Sequence, residues 1–148
     1  MGCGVAKILT AVAPDTEDRV RRILSGHDLL FVSHLGDAQA ALEQHDIELI
    51  FVGARFDESR MFDLLEYIRA HAELKKIPIM AAMIAPTKMS KETVAGLAHA
   101  TKIFGASVFI NLNDFSDDET QNARIRIIVD ALLLPANVIP EVAKNLKP

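Results

Sequence analysis

One cysteine, Cys3, is all the thiol chemistry this chain of 148 residues offers. It cannot staple the fold, and no neighbouring His or basic helix terminus activates it as a nucleophile. A basic excess is also missing. The net charge is -4, which argues against nucleic acid as a partner. No apolar stretch approaches the length of a membrane span, and no secretory pattern opens the chain, so no membrane contact is expected and a cytoplasmic location is the default. The opening Met-Gly-Cys is similar to an acylation signal but has Ala6 where Ser or Thr is required, so an unmodified terminus is expected. The five histidines, His27, His34, His45, His71 and His99, show no i, i+4 ligand pair and read as solvated surface residues. Gly2 and Gly4 precede the first strand rather than follow it, which excludes a dinucleotide fingerprint.

Half of the chain is apolar, enough for one core in one domain. The pattern is clearest from Ile47 to Arg69. Leu49, Ile50, Phe51, Val52 and Gly53 form a run too short for a helix and too apolar for an exposed strand. After a short polar loop, Met61, Phe62, Leu64, Leu65 and Ile68 recur at helical spacing. Strand, loop and helix make half of a βαβ unit, whose working end is the carboxyl end of the strand. That end, Val52-Gly53-Ala54, holds no acid, no nucleophile and no phosphate-cradling glycine run.

The rest of the chain repeats the alternation. Strands are expected at Lys7–Val12, Asp28–Val32, Ile79–Ile84 and Ser107–Ile110. Helices are expected from Thr16 with Asp15 as N-cap, from Asp37, from Ser90 to about Phe104, and from Asp117 to Leu134. Five parallel strands with five helices predict a doubly wound α/β sheet. Residues 1–6 read as a flexible start, 7–134 as the domain, and 135–148 as a tail with room for a short helix. Met80, Met83 and Met89 gather around the fourth strand, as core filling or as an apolar docking patch.

Several stretches together resemble the receiver domain of bacterial response regulators. IELIFVG followed by DLLEYIRA resembles the phosphoacceptor strand and third helix of that family. Lys76-Ile77-Pro78-Ile79 resembles its entry to strand four, and Gly105-Ala106-Ser107 with Phe109 its entry to strand five. Ala123-Arg124-Ile125-Arg126 resembles its last helix. The resemblance implies a flavodoxin-like sheet of strand order 2-1-3-4-5. It places Phe109 at the aromatic switch position. It also implies an interaction face of helix four, strand five and helix five around Lys102, Phe109, Arg124 and Arg126.

The same resemblance shows what has gone. The family holds Mg²⁺ with two acids after strand one, and takes the phosphoryl group on an Asp after strand three. It senses the group with Thr or Ser after strand four and pairs it with Lys after strand five. Those positions fall on Val12 and Ala13, Gly53, Met83 (or Ile84, one residue on) and Leu112. None can bind a metal or carry a phosphoryl group by that route. A degenerate pseudo-receiver is therefore expected: no catalysis, no cofactor, no metal.

Three functions follow as expectations. The first is an adaptor in two-component-type signalling that binds a protein partner, such as a histidine kinase or another regulator, or a second copy of itself, through the helix 4–strand 5–helix 5 face. The chain ends at Pro148 with no room for an output domain, so association is its expected mode of action. The second is an atypical receiver phosphorylated on a shifted loop acid, Asp57 above all, with Asp15, Glu58, Arg55 and Lys88 nearby. The bland account of those groups is solvated caps and weak ion pairs, with Arg55 pairing Asp15 or Asp57. The third is a small-ligand sensor using the apolar end of the sheet at Val12, Gly53, Met83 and Leu112.

Overall fold

The computed structural model describes residues 5–134. The expected tail at 135–148, together with Gly2, Cys3 and Gly4, lies outside them. Within them, β1 (Lys7–Ala11), β2 (Asp28–Val32), β3 (Leu49–Gly53), β4 (Ile79–Met83) and β5 (Val108–Asn111) form one parallel sheet of order β2-β1-β3-β4-β5. Helices α1 (Glu17–Ile23), α2 (Leu35–Gln44), α3 (Met61–Arg69), α4 (Lys91–Ile103) and α5 (Glu119–Leu132) cover it. This is the doubly wound sheet that the alternation predicts, in the flavodoxin-like strand order that the resemblance implies.

Each strand sends alternate side chains to opposite faces, which makes two cores. Leu9, Ala11, Ile50, Val52 and Ala81 meet α2 and α3 through Ala38, Leu42, Leu64 and Leu65. Ile8, Val12, Leu49, Phe51, Met80 and Ala82 meet α1 and α5 through Val20, Ile23, Ile125 and Val129. Because β3 is sheathed on both sides, every one of its residues is buried, and only a continuous apolar run satisfies that position. The buried Thr10 hydroxyl is satisfied by donating to the Leu30 carbonyl at 2.9 Å.

Helix ends follow local chemistry in part. The Ser90 hydroxyl accepts the Thr93 N–H at 3.1 Å, and the Asp118 carboxylate accepts the Gln121 N–H at 2.9 Å. Asp15 does not cap α1 as expected. Pro14–Thr16 is instead a turn of 3-10 helix with Ala13 at its head and no side-chain cap. Helix α2 begins at Leu35, two residues before the expected Asp37, because its first N–H finds an acceptor elsewhere in the fold. His27 is also not a surface residue. Its side chain is 9 % exposed, its Nδ1 accepts the N–H of the buried Ala6 at 3.0 Å, and Asp130 stands 3.6 Å from its Nε2.

Candidate functional site at the carboxyl edge of the sheet

Register fixes what meets at the carboxyl ends of the strands. Ala11 pairs with Val32 and Val52, and Gly53 pairs with Ala82. Gly53 lies on the face that packs against α1 and α5, as Val12, Ile84 and Leu112 do. A methyl group added at Gly53 would stand 3.0 Å from Ile84 Cδ1 and 3.6 Å from Val12 Cγ1. An added side chain would therefore press on the end methyl of Ile84 and touch Val12 at ordinary contact distance. Of the two positions considered for the hydroxyl, it is Ile84 that closes over Gly53, while Met83 lines a hollow with Met61 and Phe62.

Val12 and Leu112 are wholly buried and Met83 is 3 % exposed. The gap left between Ala13, Gly53, Met83 and Ile84 is about 10 Å³, at most the room of one water. The ligand pocket expected at the apolar end of the sheet is thus filled by the residues that were to line it. Nor do the residues present fit the Mg²⁺ of the receiver family. A divalent cation needs oxygen ligands, and Val12, Ala13 and Gly53 supply no side-chain oxygen. Among the described residues, no group of three or more His, Cys, Asp or Glu could hold a metal ion.

Leu112 opens a turn of 3-10 helix, Leu112–Asp114. The cation in this region comes from α1. Arg19 Nη2 donates to the carbonyls of Leu112 at 3.0 Å and Phe115 at 2.6 Å. Asn113 Nδ2 ties the same loop to the Ala85 carbonyl at 3.2 Å. Reading the sequence alone missed Arg19, because its partners are more than ninety positions away.

The loop acids have structural employment. Arg55 pairs with Asp15 at 3.3 Å, as one of the two expected pairings had it. Asp57 is only 18 % exposed. Its Oδ2 accepts the Leu35 N–H at 2.8 Å and its Oδ1 stands 3.5 Å from His34 Nδ1. Asp57 thus caps the N-terminus of α2 from another segment of the chain. The Leu35 N–H holds its carboxyl below the usual carboxylate range, with His34 and Arg60 adding to the effect against the opposing cost of burial.

The cap carries a backbone penalty. Residues Phe56–Ser59 make a tight turn in which Asp57, Glu58 and Ser59 have φ of 45°, 54° and 70°. This is left-handed geometry, which costs an L-residue about 1–2 kcal/mol each. Beside the turn lies an open hollow of about 330 Å³, lined by Asp15, Ser33, His34, Arg55, Asp57 and Ser59. It sits among the loops after β1, β2 and β3, the switch point of this topology. On its other side is a more apolar hollow of about 220 Å³, formed by Met61, Phe62, Met83, Met89 and Leu97 with Arg55 and Ser59.

The outer face of α4, β5 and α5 differs in character. Phe109 is half-buried beside Met89, Val94, Ala95 and Ala98 in an open groove of about 640 Å³. Ile103 and Ile127 are 59 % and 69 % exposed, and Lys102 and Arg124 are exposed near them in sequence. Arg126 does not join this face. Its Nη1 donates to the carbonyls of Arg22 at 3.1 Å and Ile23 at 3.3 Å, and its Nη2 pairs with Glu119. It closes the C-terminus of α1, where the free carbonyls favour a cation. Methionines split likewise: Met80 and Met83 fill the core, while Met89 is half exposed.

No family model matches the chain, and no curated relative matches it. Solved structures do. The signal receiver domain of a signal transduction histidine kinase from Syntrophus aciditrophicus superposes with a TM-score of 0.63 at 20 % identity, covering 87 % of this chain and 90 % of that one. The Mn²⁺-bound response regulator Rcp1 gives 0.64 at 17 % identity, covering 88 % and 99 %. NtrX from Brucella abortus gives 0.67 at 23 % identity over 95 % of this chain, which spans 29 % of that longer protein. The fold is the receiver fold.

Proposed function

We propose that this chain is a receiver-fold signalling module that works by association and not by phosphoryl transfer. The observation that carries the reading is the packing around Gly53. A side chain at Gly53, the residue matched to the family's acceptor, would crowd the Ile84 end methyl at 3.0 Å and sit against Val12, which supports the reading. Rcp1, a neighbour in fold, is a Mn²⁺-bound response regulator. Here the residues matched to that family's acids are Val12, Ala13 and Gly53, and the one matched to its lysine is the buried Leu112, none of which supplies a charged group. Asp57 fits the shifted-acceptor role poorly, since its carboxylate is held against the Leu35 N–H as the cap of α2, and among the described residues no group of three or more His, Cys, Asp or Glu could hold a metal ion for the transfer.

Association would use the α4–β5–α5 face. Phe109, Met89, Ile103 and Ile127 supply apolar anchors, and Lys102 and Arg124 supply exposed cations. The partner is a signalling protein, a kinase or another regulator, or a second copy of the chain. No helix among the described residues is long and apolar enough to cross a membrane. Incubation with acetyl phosphate and Mg²⁺, followed by intact-mass measurement, tests the reading: an unchanged mass is expected. An adduct lost in an Asp57→Asn variant would replace it with the shifted-acceptor reading.

A ligand-sensing role keeps one observation in its favour, the open hollow at the switch point. A thermal-shift screen against small polar metabolites tests it. Stabilisation abolished by Arg55→Ala would support it.

A further inference from the structure

Asp57, Glu58 and Ser59 are the only non-glycine residues with positive φ among the described residues, and they are consecutive. Strain of that kind persists only where surrounding contacts hold it. The contact here is the Asp57 carboxylate on the Leu35 N–H, with His34 beside it. A second conformation suits the same residues. In right-handed geometry, Phe56–Arg60 would run directly into α3, placing Asp57 and Glu58 in its first turn, where acidic side chains are favoured. That state relieves the backbone but leaves the first N–H of α2 without its acceptor. One state caps α2 with a strained turn; the other lengthens α3 and uncaps α2.

We propose that residues 56–60 form a two-state turn, latched by Asp57 against α2, whose release reshapes the two hollows on either side of it. Arg55 and Ser59 line both hollows, so inverting the turn changes both at once. Whatever fills either hollow and touches Ser59 biases the turn, and with it the N-terminus of α2. The inference is independent of the functional reading, since it needs no phosphoryl group and no partner.

Solution NMR of the full chain tests it through backbone couplings at residues 57–59 and hydrogen exchange at the Leu35 amide. The wild type is expected to show positive φ at all three residues and a protected Leu35 amide. Asp57→Ala is expected to bring Glu58 and Ser59 to negative φ and to lower Leu35 protection by about tenfold or more. Adding Glu58→Gly and Ser59→Gly to that variant removes the penalty on positive φ at two of the three positions, and should give averaged couplings there from a mixture of both hands; couplings still wholly negative in φ would overturn the role given to the strain. Negative φ in the wild type, or unchanged couplings and protection in Asp57→Ala, overturns the proposal. Should Asp57→Ala not fold, Asp57→Asn takes its place: partial shifts confined to residues 33–36 and 55–62 support the latch, and unchanged spectra overturn it.

Discussion

Gly53 shows how much one residue decides. Gly53→Asp, which restores the acid by name, is expected to destabilise the fold by about 1–3 kcal/mol or more, because it overpacks a filled site and buries an unpaired charge. Urea unfolding measures the loss, and added Mg²⁺ should not reverse it. At Glu58 and Ser59 the sign reverses. Glycine there relieves left-handed strain of about 1–2 kcal/mol per residue, less the 0.5–1 kcal/mol or so of extra unfolded-chain entropy. A net gain of about 0–1.5 kcal/mol at each position is expected in the same assay. The run Leu49–Gly53 was legible because full burial leaves only one kind of pattern. The turn was not, because Asp-Glu-Ser carries none of the Gly or Asn that usually marks positive φ.

Among the elements, helix ends separate what local pattern reveals from what it hides. The Ser90 and Asp118 caps lie three residues from the groups they bind and could be read from the chain. The cap on α2 and the closure of α1 come from Asp57 and Arg126, across 22 residues and about a hundred, so only the assembled fold shows them. Arg126→Ala should lower stability by about 1–3 kcal/mol, since it leaves carbonyls at the end of α1 without their charged donor. Thermal melting compared with Arg124→Ala, an exposed neighbour expected to be nearly silent, checks this. Acid should act through two of the junctions. Asp57, held by the Leu35 N–H, and Asp117, held mainly by Arg22, both titrate below the ordinary carboxylate range. Their contribution is therefore present above the unfolded value, near pH 4, and is lost as pH falls through their lower folded values. The denaturation midpoint should drop over that interval, and Asp57→Asn should flatten the drop.

For the molecule as a whole, the layering followed from the alternation of buried runs with amphipathic helices, the strand order followed from the resemblance to receiver domains, and the structure matches both. The site was legible mainly as a set of missing groups. The residues that took over its corner, Ile84 above Gly53 and Arg19 on the Leu112 carbonyl, are visible only in the assembled fold. If the α4–β5–α5 face is the working surface, Phe109→Ala or Ile127→Glu should abolish a dimer or a captured partner while leaving the melting temperature of the lone chain nearly unchanged for the exposed Ile127. Sedimentation across a concentration series reads both. The close fit at Gly53 also constrains history. An aspartate introduced there crowds the Ile84 end methyl beside buried Val12, and relief requires moving or trimming Ile84 and adding metal ligands and a cation besides. If this edge descends from a receiver pocket, each single step back toward the acids lowers stability before any metal or phosphate can repay it, and the path away from that chemistry runs one way.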